Sequence, residues 1–273
     1  MEYKDIVVHL GKDRRSAARL DAAIELAESQ DGRVTGVYVS TPRRIPGFVR
    51  CELPPEVLKR LDTEERTFAE EAEAQFAERS ARTRAPCEWR RMLGDPVDAI
   101  VTSAHYADIT IVGQTDPDED GIPRGLADRV VLEAGGPVLV WPYTGSCHAT
   151  APTAMLAWNG SREATRALAD ALPLLQQARK VIVFGVDVDD GKHTPGADVS
   201  AHLAHHGVRV EARHTRTTFG IHIGDTLLSE IGDCGIGLLV MGGYGHRRWR
   251  ERLFGGVTRD ILRETTVPVL MAH

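Results

Sequence analysis

The sequence predicts an α/β fold made of two tandem units, each a five-stranded parallel sheet with helices on both faces. Three observations predict it. Short β-branched runs alternate with stretches of helical periodicity, the pattern of a parallel sheet covered by helices. The order of these segments restarts near Thr153. Residues also recur in register across the chain. Ile109-Thr110-Ile111-Val112-Gly113 matches Leu238-Leu239-Val240-Met241-Gly242, and Pro137-Val138-Leu139-Val140 matches Pro268-Val269-Leu270-Met271. Leu93-Gly94-Asp95 matches Ile223-Gly224-Asp225, and Gly125 and Arg129 match Gly255 and Arg259. The offset stays between 129 and 131 residues, as expected of an internal duplication.

In the first unit, Asp5–Leu10 is a strand and Gly11–Arg15 a polar turn. A helix follows, with Ala17, Leu20, Ile24 and Ala27 on one face. Asp31-Gly32 breaks it before a valine-rich strand over 33–39. Pro42, Pro46, Pro54 and Pro55 mark a long loop. An amphipathic helix then carries Leu58, Leu61, Phe68, Ala72 and Phe76 in register, with a Glu- and Arg-rich opposite face. Cys87–Leu93 is a strand, and Asp95 caps a short helix with Pro96 at its first position. Strand 108–113, a helix over about 125–134 and strand 137–141 complete the unit.

Residues 145–152 are small, polar and unpatterned, and read as a linker. The second unit repeats the order: strand 153–158, helix 162–175, strand 180–188, a small helix near 199–206, strand 208–215, helix 225–233, strand 238–241, a helix to Arg263 and strand 267–271. The expected domains are therefore 1–144 and 152–273.

The 42% hydrophobic and 26% charged composition is that of an ordinary globular chain. Net charge is −6, so no basic field recruits nucleic acid. No apolar run approaches the ~18 residues of a membrane span, and Met1–Asp5 has no cationic region followed by an apolar segment, so no leader peptide is expected. Cys51, Cys87, Cys147 and Cys234 form no Cys-x-x-Cys pair, which suggests a reducing compartment, the cytoplasm.

The stretch that carries chemistry runs from Leu238 to Gly256. An apolar strand ends at Gly242; Gly245 follows, then an Arg-rich loop, then Gly255-Gly256 at a helix start. Glycines let backbone N–H groups approach a ligand, and a helix N-terminus favours negative charge, so this arrangement suits a phosphate. Neither a Walker P-loop nor Gly-x-Gly-x-x-Gly is present.

With the spacing Gly242-x2-Gly245-x9-Gly255 and the closing Thr266-Val267-Pro268-Val269-Leu270-Met271, the sequence resembles the universal stress protein family over essentially its whole length. The resemblance implies Rossmann-like domains of the HUP type and an adenine-nucleotide site, for ATP or AMP with or without magnesium, in the C-terminal domain. It implies that Asn159 and Gly160 stand where the family has Asp-Gly of an Asp-Gly-Ser turn. It places Val186 against adenine through its backbone and Met241 along the base or ribose. Gly242, Gly245 and Gly255 match the motif glycines, and Gly255, Gly256 and Val257 would offer backbone N–H groups to the phosphates. Gly256 stands where the family has Ser or Thr, so a hydroxyl donor worth ~0.5–1.5 kcal/mol is missing. The resemblance also implies that the two halves pair through their last strands as an intrachain pseudo-dimer, which closes sheet edges; the chain could form a homodimer in addition.

In the first unit Gly113 is kept, but Asp116 replaces the next motif glycine, followed by Pro117, Asp118, Glu119 and Asp120. Four acidic side chains would face a phosphate, so no nucleotide triphosphate is expected there. The counterpart carries Arg247, Arg248, Arg250 and Arg252. His202, His205 and His206 have helical spacing but no evident further ligand, and Asp187, Asp189 and Asp190 read as a solvated loop, so no metal site is expected. Ser161 lacks a nucleophile-elbow sequence. The expectation is a non-enzymatic stress-response module binding an adenine nucleotide and an unidentified protein partner. The alternative is a scaffold that has lost nucleotide binding in both halves.

Overall fold

The computed structural model describes residues 2–41, 54–119, 121–145, 147–186, 196–216, 222–245 and 254–273. The prolines at 42 and 46, Cys51, Asp120, the acidic trio at 187–190 and the Arg247–Arg252 cluster lie outside the described residues.

The elements of the first half are β1 (Asp5–Leu10), α1 (Ser16–Gln30), β2 (Arg33–Ser40), α2 (Pro55–Ser80), β3 (Cys87–Leu93), α3 (Pro96–Ala104), β4 (Ile109–Gly113), α4 (Leu126–Glu133) and β5 (Val138–Trp141). The second half has β6 (Thr153–Ala157), α5 (Arg162–Gln177), β7 (Lys180–Val186), α6 (Ala197–His205), β8 (Val210–Thr215), α7 (Ile223–Asp233), β9 (Leu238–Gly242), α8 (Phe254–Glu264) and β10 (Val269–Ala272). β4 and β9 begin and end at the residues the internal repeat equates, as do β5 and β10.

The strands form one ten-stranded sheet in the order β3-β2-β1-β4-β5-β10-β9-β6-β7-β8. Read outward from the centre, each half has the same order, so the sheet is two five-stranded parallel units joined edge to edge. The join is β5 against β10, antiparallel, with Val140 opposite Val269, Leu139 opposite Leu270 and Met271 opposite Val138. The neighbouring β4–β5 and β9–β10 pairs are parallel. Pairing the two last strands removes two edges that would otherwise be open to other chains. The remaining edges, β3 and β8, carry Glu88, Arg90 and Arg91, and Glu211 and Arg213.

Strand side chains alternate between two apolar layers, because successive residues of a strand point to opposite faces. Ile6, Val8, Ile111, Leu156, Val240 and Leu270 face α1, α2, α5 and α6. Val7, Val112, Met155, Leu239, Val269 and Met271 face α3, α4, α7 and α8. Each layer runs across both halves, so the seam is interior and not a contact between finished surfaces.

One local expectation, Phe68 on the buried face of α2, is corrected, and two further features add to the sequence reading. The linker is docked: Ala149 and Ala151 are buried in the core, Thr150 donates to Glu25 at 2.9 Å, and the Gly145 carbonyl accepts from Arg15 at 2.7 Å. In α2, Phe68 stays 43% exposed, with the Lys12 ammonium 4.8 Å from its ring centroid, and Ala69 is buried beside it. In α1 the buried face includes Arg19, a charged residue no apolar pattern would select.

The Asp95 cap forms as expected, its carboxylate accepting from the N–H groups of Val97 at 2.9 Å and Asp98 at 3.3 Å. Its repeat mate does not cap: α7 starts earlier, at Ile223, which puts Asp225 inside the first turn.

Candidate functional site

In an open α/β sheet, ligands bind beyond the carboxyl ends of the strands, where the strand order reverses. Here that point lies between β6 and β9 in the second half and between β1 and β4 in the first.

A cleft opens at the β6–β9 point. Ala157, Trp158 and Asn159 come from the end of β6, and Phe184 and Val186 from β7. Met241, Gly242 and Gly245 form the wall after β9, Val257 and Thr258 come from α8, and Ile223 and Leu227 from α7. The cavity holds about 140 Å³, several times the ~30 Å³ share of one water but below the ~300–1,000 Å³ of drug-sized sites. The lining of this slot is mostly apolar and includes the glycines that follow β9.

The structure therefore brings together Asn159, Val186, Met241, Gly242, Gly245 and Val257. Gly160 and Gly256 do not line the slot. Gly160 turns the loop with φ 68°, and Gly256 sits at the start of α8, where an added Cβ would come no nearer than 3.8 Å to the Asp260 carboxylate. Gly255 is in the backbone of α8, and its surroundings lie outside the described residues.

Trp158, Phe184, Ile223, Leu227 and Thr258 were not selected from sequence. Phe184 was within reach: it is two residues before Val186 on β7, hence on the same face. Ile223 and Leu227 are four apart on α7 and share a face.

Local chemistry explains several of these positions. Asn159 Oδ1 accepts from the Ser161 N–H at 3.0 Å, a turn made by its own side chain. Ser161 is the N-cap of α5, its hydroxyl accepting from the Ala164 N–H at 3.1 Å. The start of α5 then presses on the loop after β9. A Cβ at Gly242 would lie 2.6 Å from Ala164 N and 2.7 Å from Glu163 C, so glycine is obligatory there for packing alone. A Cβ at Gly245 would lie 3.0 Å from Glu163 Oε2. Glu163 is 8% exposed, so a carboxylate lies beside the glycine loop. Sequence reading passed over it, because an acid in the first turn of a helix is ordinary.

The loop also reaches across the seam. Tyr244 has φ 49°, its N–H donates to Thr258 Oγ1 at 3.3 Å, and its hydroxyl donates to Asp128 in α4 of the first half. Burial, and next the bond to Asp128, push the Tyr244 phenol well above its ordinary pKa.

The corresponding place in the first half is built differently. A cleft of about 760 Å³ opens beside Tyr38, Val39 and Pro96, with His9 and Gly11 on its wall. Its neighbourhood at β4 is occupied by the protein itself. Arg19 is fully buried and gives two 2.7 Å hydrogen bonds to the Asp13 carboxylate and one of 3.1 Å to the His9 carbonyl. A Cβ on Gly113 would lie 2.5 Å from Arg19 Nη1, and one on Gly121 would lie 2.6 Å from Asp13. Burial alone would raise the Asp13 pKa, but the Arg19 hydrogen bonds and charge outweigh it and hold the group below its ordinary value. Asp116 does not face an open phosphate position, as the sequence suggested. It is 6% exposed and bound to Arg14 at 2.7 Å.

Among the described residues, no group of three or more His, Cys, Asp and Glu side chains is placed to hold a metal ion. The His202 and His206 rings touch in a tilted arrangement, with centroids 4.7 Å apart and planes at 58°. Cys87, Cys147 and Cys234 are free thiols. No helix among the described residues is long and apolar enough to cross a membrane.

Fold and site define a class: an α/β protein of two like halves joined through their last strands, with a glycine-walled slot at the switch point of the second half. Residues 152–273 match the Universal stress protein family model. The chain thus carries a universal stress protein domain in its C-terminal half. Among solved structures, a universal stress protein from Archaeoglobus fulgidus DSM 4304 is similar over 98% of this chain and 96% of its own, with a TM-score of 0.76 and 14% identity. A functionally unknown protein from Pseudomonas aeruginosa PAO1 is similar over 99% of this chain and 92% of its own (TM-score 0.59, 13% identity). So is a putative universal stress protein from Pseudomonas aeruginosa UCBPP-PA14, over 99% and 93% (TM-score 0.57, 12% identity). These likenesses cover both halves and concern the fold. A search of curated proteins finds no match.

Proposed function

We propose that the chain is a regulatory universal stress protein that binds one adenine nucleotide, ATP or AMP, in its C-terminal half. The observation that carries this reading is the slot at the β6–β9 switch point, with a mostly apolar lining that includes Met241, Gly242 and Gly245. A flat base fits between Phe184, Val186, Ile223 and Leu227. The ribose lies by Met241 and Asn159, and the phosphates extend toward the start of α8, where Gly255, Gly256 and Val257 offer N–H groups and the helix dipole favours negative charge. Gly256 lacks a hydroxyl, but Thr258 lines the slot, and its hydroxyl uses only an acceptor site in the bond from Tyr244. Magnesium would screen the phosphates from Glu163.

The first half, with the Arg19–Asp13 pair at its glycine strand, acts as a structural partner and not as a nucleotide site. We read 1–144 and 152–273 as the two domains, place the chain in the cytoplasm, and assign it a protein partner whose binding follows nucleotide occupancy. A homodimer through the remaining surface is compatible with this. Among the described residues that line the slot none is a His, Asp, Glu or Lys, and we read the chain as non-enzymatic.

A second reading, a scaffold without nucleotide, is favoured by the buried Glu163 carboxylate beside Gly245 and by the packing role of Gly242. Calorimetric titration with ATP and AMP separates the two. The first reading requires saturable binding by the wild type and its loss in Gly245→Asp, which puts a second carboxylate against Glu163. The scaffold reading requires no binding by the wild type.

A further inference from the structure

The glycine loop of the C-terminal half takes part of its support from the first half. Gly242 and Gly245 both line the slot, and the two residues between them are held from both halves, the Gly243 N–H donating to the Ala272 carbonyl at 2.9 Å while α4 of the first half supports the other side. A Cβ on Gly243 would lie 2.8 Å from Val131 Cγ1 in α4, so the loop backbone lies against the first half. Tyr244 takes a left-handed conformation, φ 49°, that a bulky side chain rarely adopts without outside support. Its ring packs in the apolar layer shared by α4 and α8, and its hydroxyl donates to Asp128 Oδ1. Its N–H donates to Thr258, itself on the slot wall. At the other side of the loop, His273 Nδ1 is 3.1 Å from the Gly243 carbonyl. Arg259 of α8 is the further charged group that acts on the Tyr244 phenol.

We propose that Asp128 of the N-terminal half is a positioning residue for the nucleotide site of the C-terminal half. By holding the Tyr244 hydroxyl it keeps Gly243–Gly245 in the conformation that presents backbone to phosphate. The inference rests on the nucleotide reading above. It gives the first half a role beyond closing the sheet: a change in α4 is transmitted across the seam to the ligand loop.

The test uses the full chain and four proteins: wild type, Asp128→Ala, Asp128→Asn and Tyr244→Phe. ATP and adenosine are titrated by calorimetry, and amide exchange of residues 243–245 is followed without ligand. The expected result is that Asp128→Ala and Tyr244→Phe weaken ATP roughly three- to tenfold, the scale of one lost hydrogen bond, leave adenosine unchanged, and speed exchange at 243–245. Asp128→Asn, which keeps an acceptor, stays near wild type. Two results would overturn the inference: unchanged exchange in both disrupting variants, or equal loss of ATP and adenosine, which would mark general damage to the half. A wild type that binds neither ligand sinks the nucleotide reading, and the loop-positioning claim is then decided by exchange alone.

Discussion

Leu139 stands opposite Leu270 at the middle of the antiparallel β5–β10 seam, and both are fully buried. One residue from each half forms the centre of a shared core. Truncating a fully buried leucine typically costs about 2–5 kcal/mol. Leu270→Ala is expected to fall in that range and to leave urea unfolding a single transition, with fluorescence and circular dichroism curves superimposed. Two separated transitions would show that the halves fold independently. Since the two side chains are neighbours, Leu139→Ala and Leu270→Ala should be non-additive in combination.

The Arg19–Asp13 pair gives a sharper prediction for the first half. Removing one partner of a buried ion pair leaves an uncompensated charge and costs about 3–5 kcal/mol, whereas replacing both with apolar groups is often near neutral. Arg19→Met should therefore be strongly destabilising, and the double change Arg19→Met, Asp13→Leu should recover much of the loss. Urea midpoints measure both. A double variant as unstable as Arg19→Met would contradict the account.

His9 makes stability depend on pH. Burial, then the neighbouring Arg19 charge, push its imidazole down to about 3, against an opposing pull from Asp13. Its Nδ1 is buried, with no hydrogen-bond partner among the described residues. In the unfolded chain its pKa is ~6.5. The folded state thus disfavours a proton that the unfolded state accepts. Stability is whole above about pH 6.5 and falls as pH drops toward 3, at up to about 1.4 kcal/mol per pH unit. Asp13 adds a loss in the same direction only below about pH 4, since its folded pKa is depressed. Between pH 6.5 and 4.5, His9→Leu should flatten the dependence of the urea midpoint. An unchanged slope would mean that another group is responsible.

Glu163 sets the sign of a charge effect at the slot. Its carboxylate lies beside Gly245, where the proposed phosphate chain passes. Glu163→Gln removes a charge while preserving shape. ATP affinity without magnesium should rise by roughly three- to tenfold, and adenosine affinity should not move; charge repulsion at a few ångströms in a partly buried site is worth ~1–4 kcal/mol before screening. Weaker ATP binding in this variant would place the phosphates elsewhere.

Much of the fold was legible because its signals are periodic and repeated. Ile109–Gly113 and Leu238–Gly242 announce buried parallel strands by continuous apolar runs, and the internal repeat fixes their equivalence. Pairing of the last strands followed from the family resemblance and from the need to close edges; its antiparallel direction came from the structure. The apolar depth of the slot was only half legible: Val186 and Met241 were found, while Phe184, Ile223 and Leu227 needed the face-sharing argument applied further. The charged residues were the least legible. Nothing in the pattern of α1 marks Arg19 as buried, because its reason is Asp13 on the preceding turn and the space at Gly113. Glu163 and Tyr244 act through contacts made only when α5 and α4 pack on the loop after β9. Asp116 showed the limit of counting charges: its place in sequence suggested an open acidic mouth, and its bond to Arg14 turns it inward.

The central claim, a single nucleotide site in the C-terminal half, is tested most directly by amide hydrogen exchange on the full chain with and without saturating ATP. The account predicts added protection at Ala157–Asn159, Met241–Gly245 and Gly255–Thr258, and none at His9–Asp13 or Gly113–Gly125. Protection in the first-half segments, or none anywhere at ATP concentrations where binding is saturated by calorimetry, would contradict it.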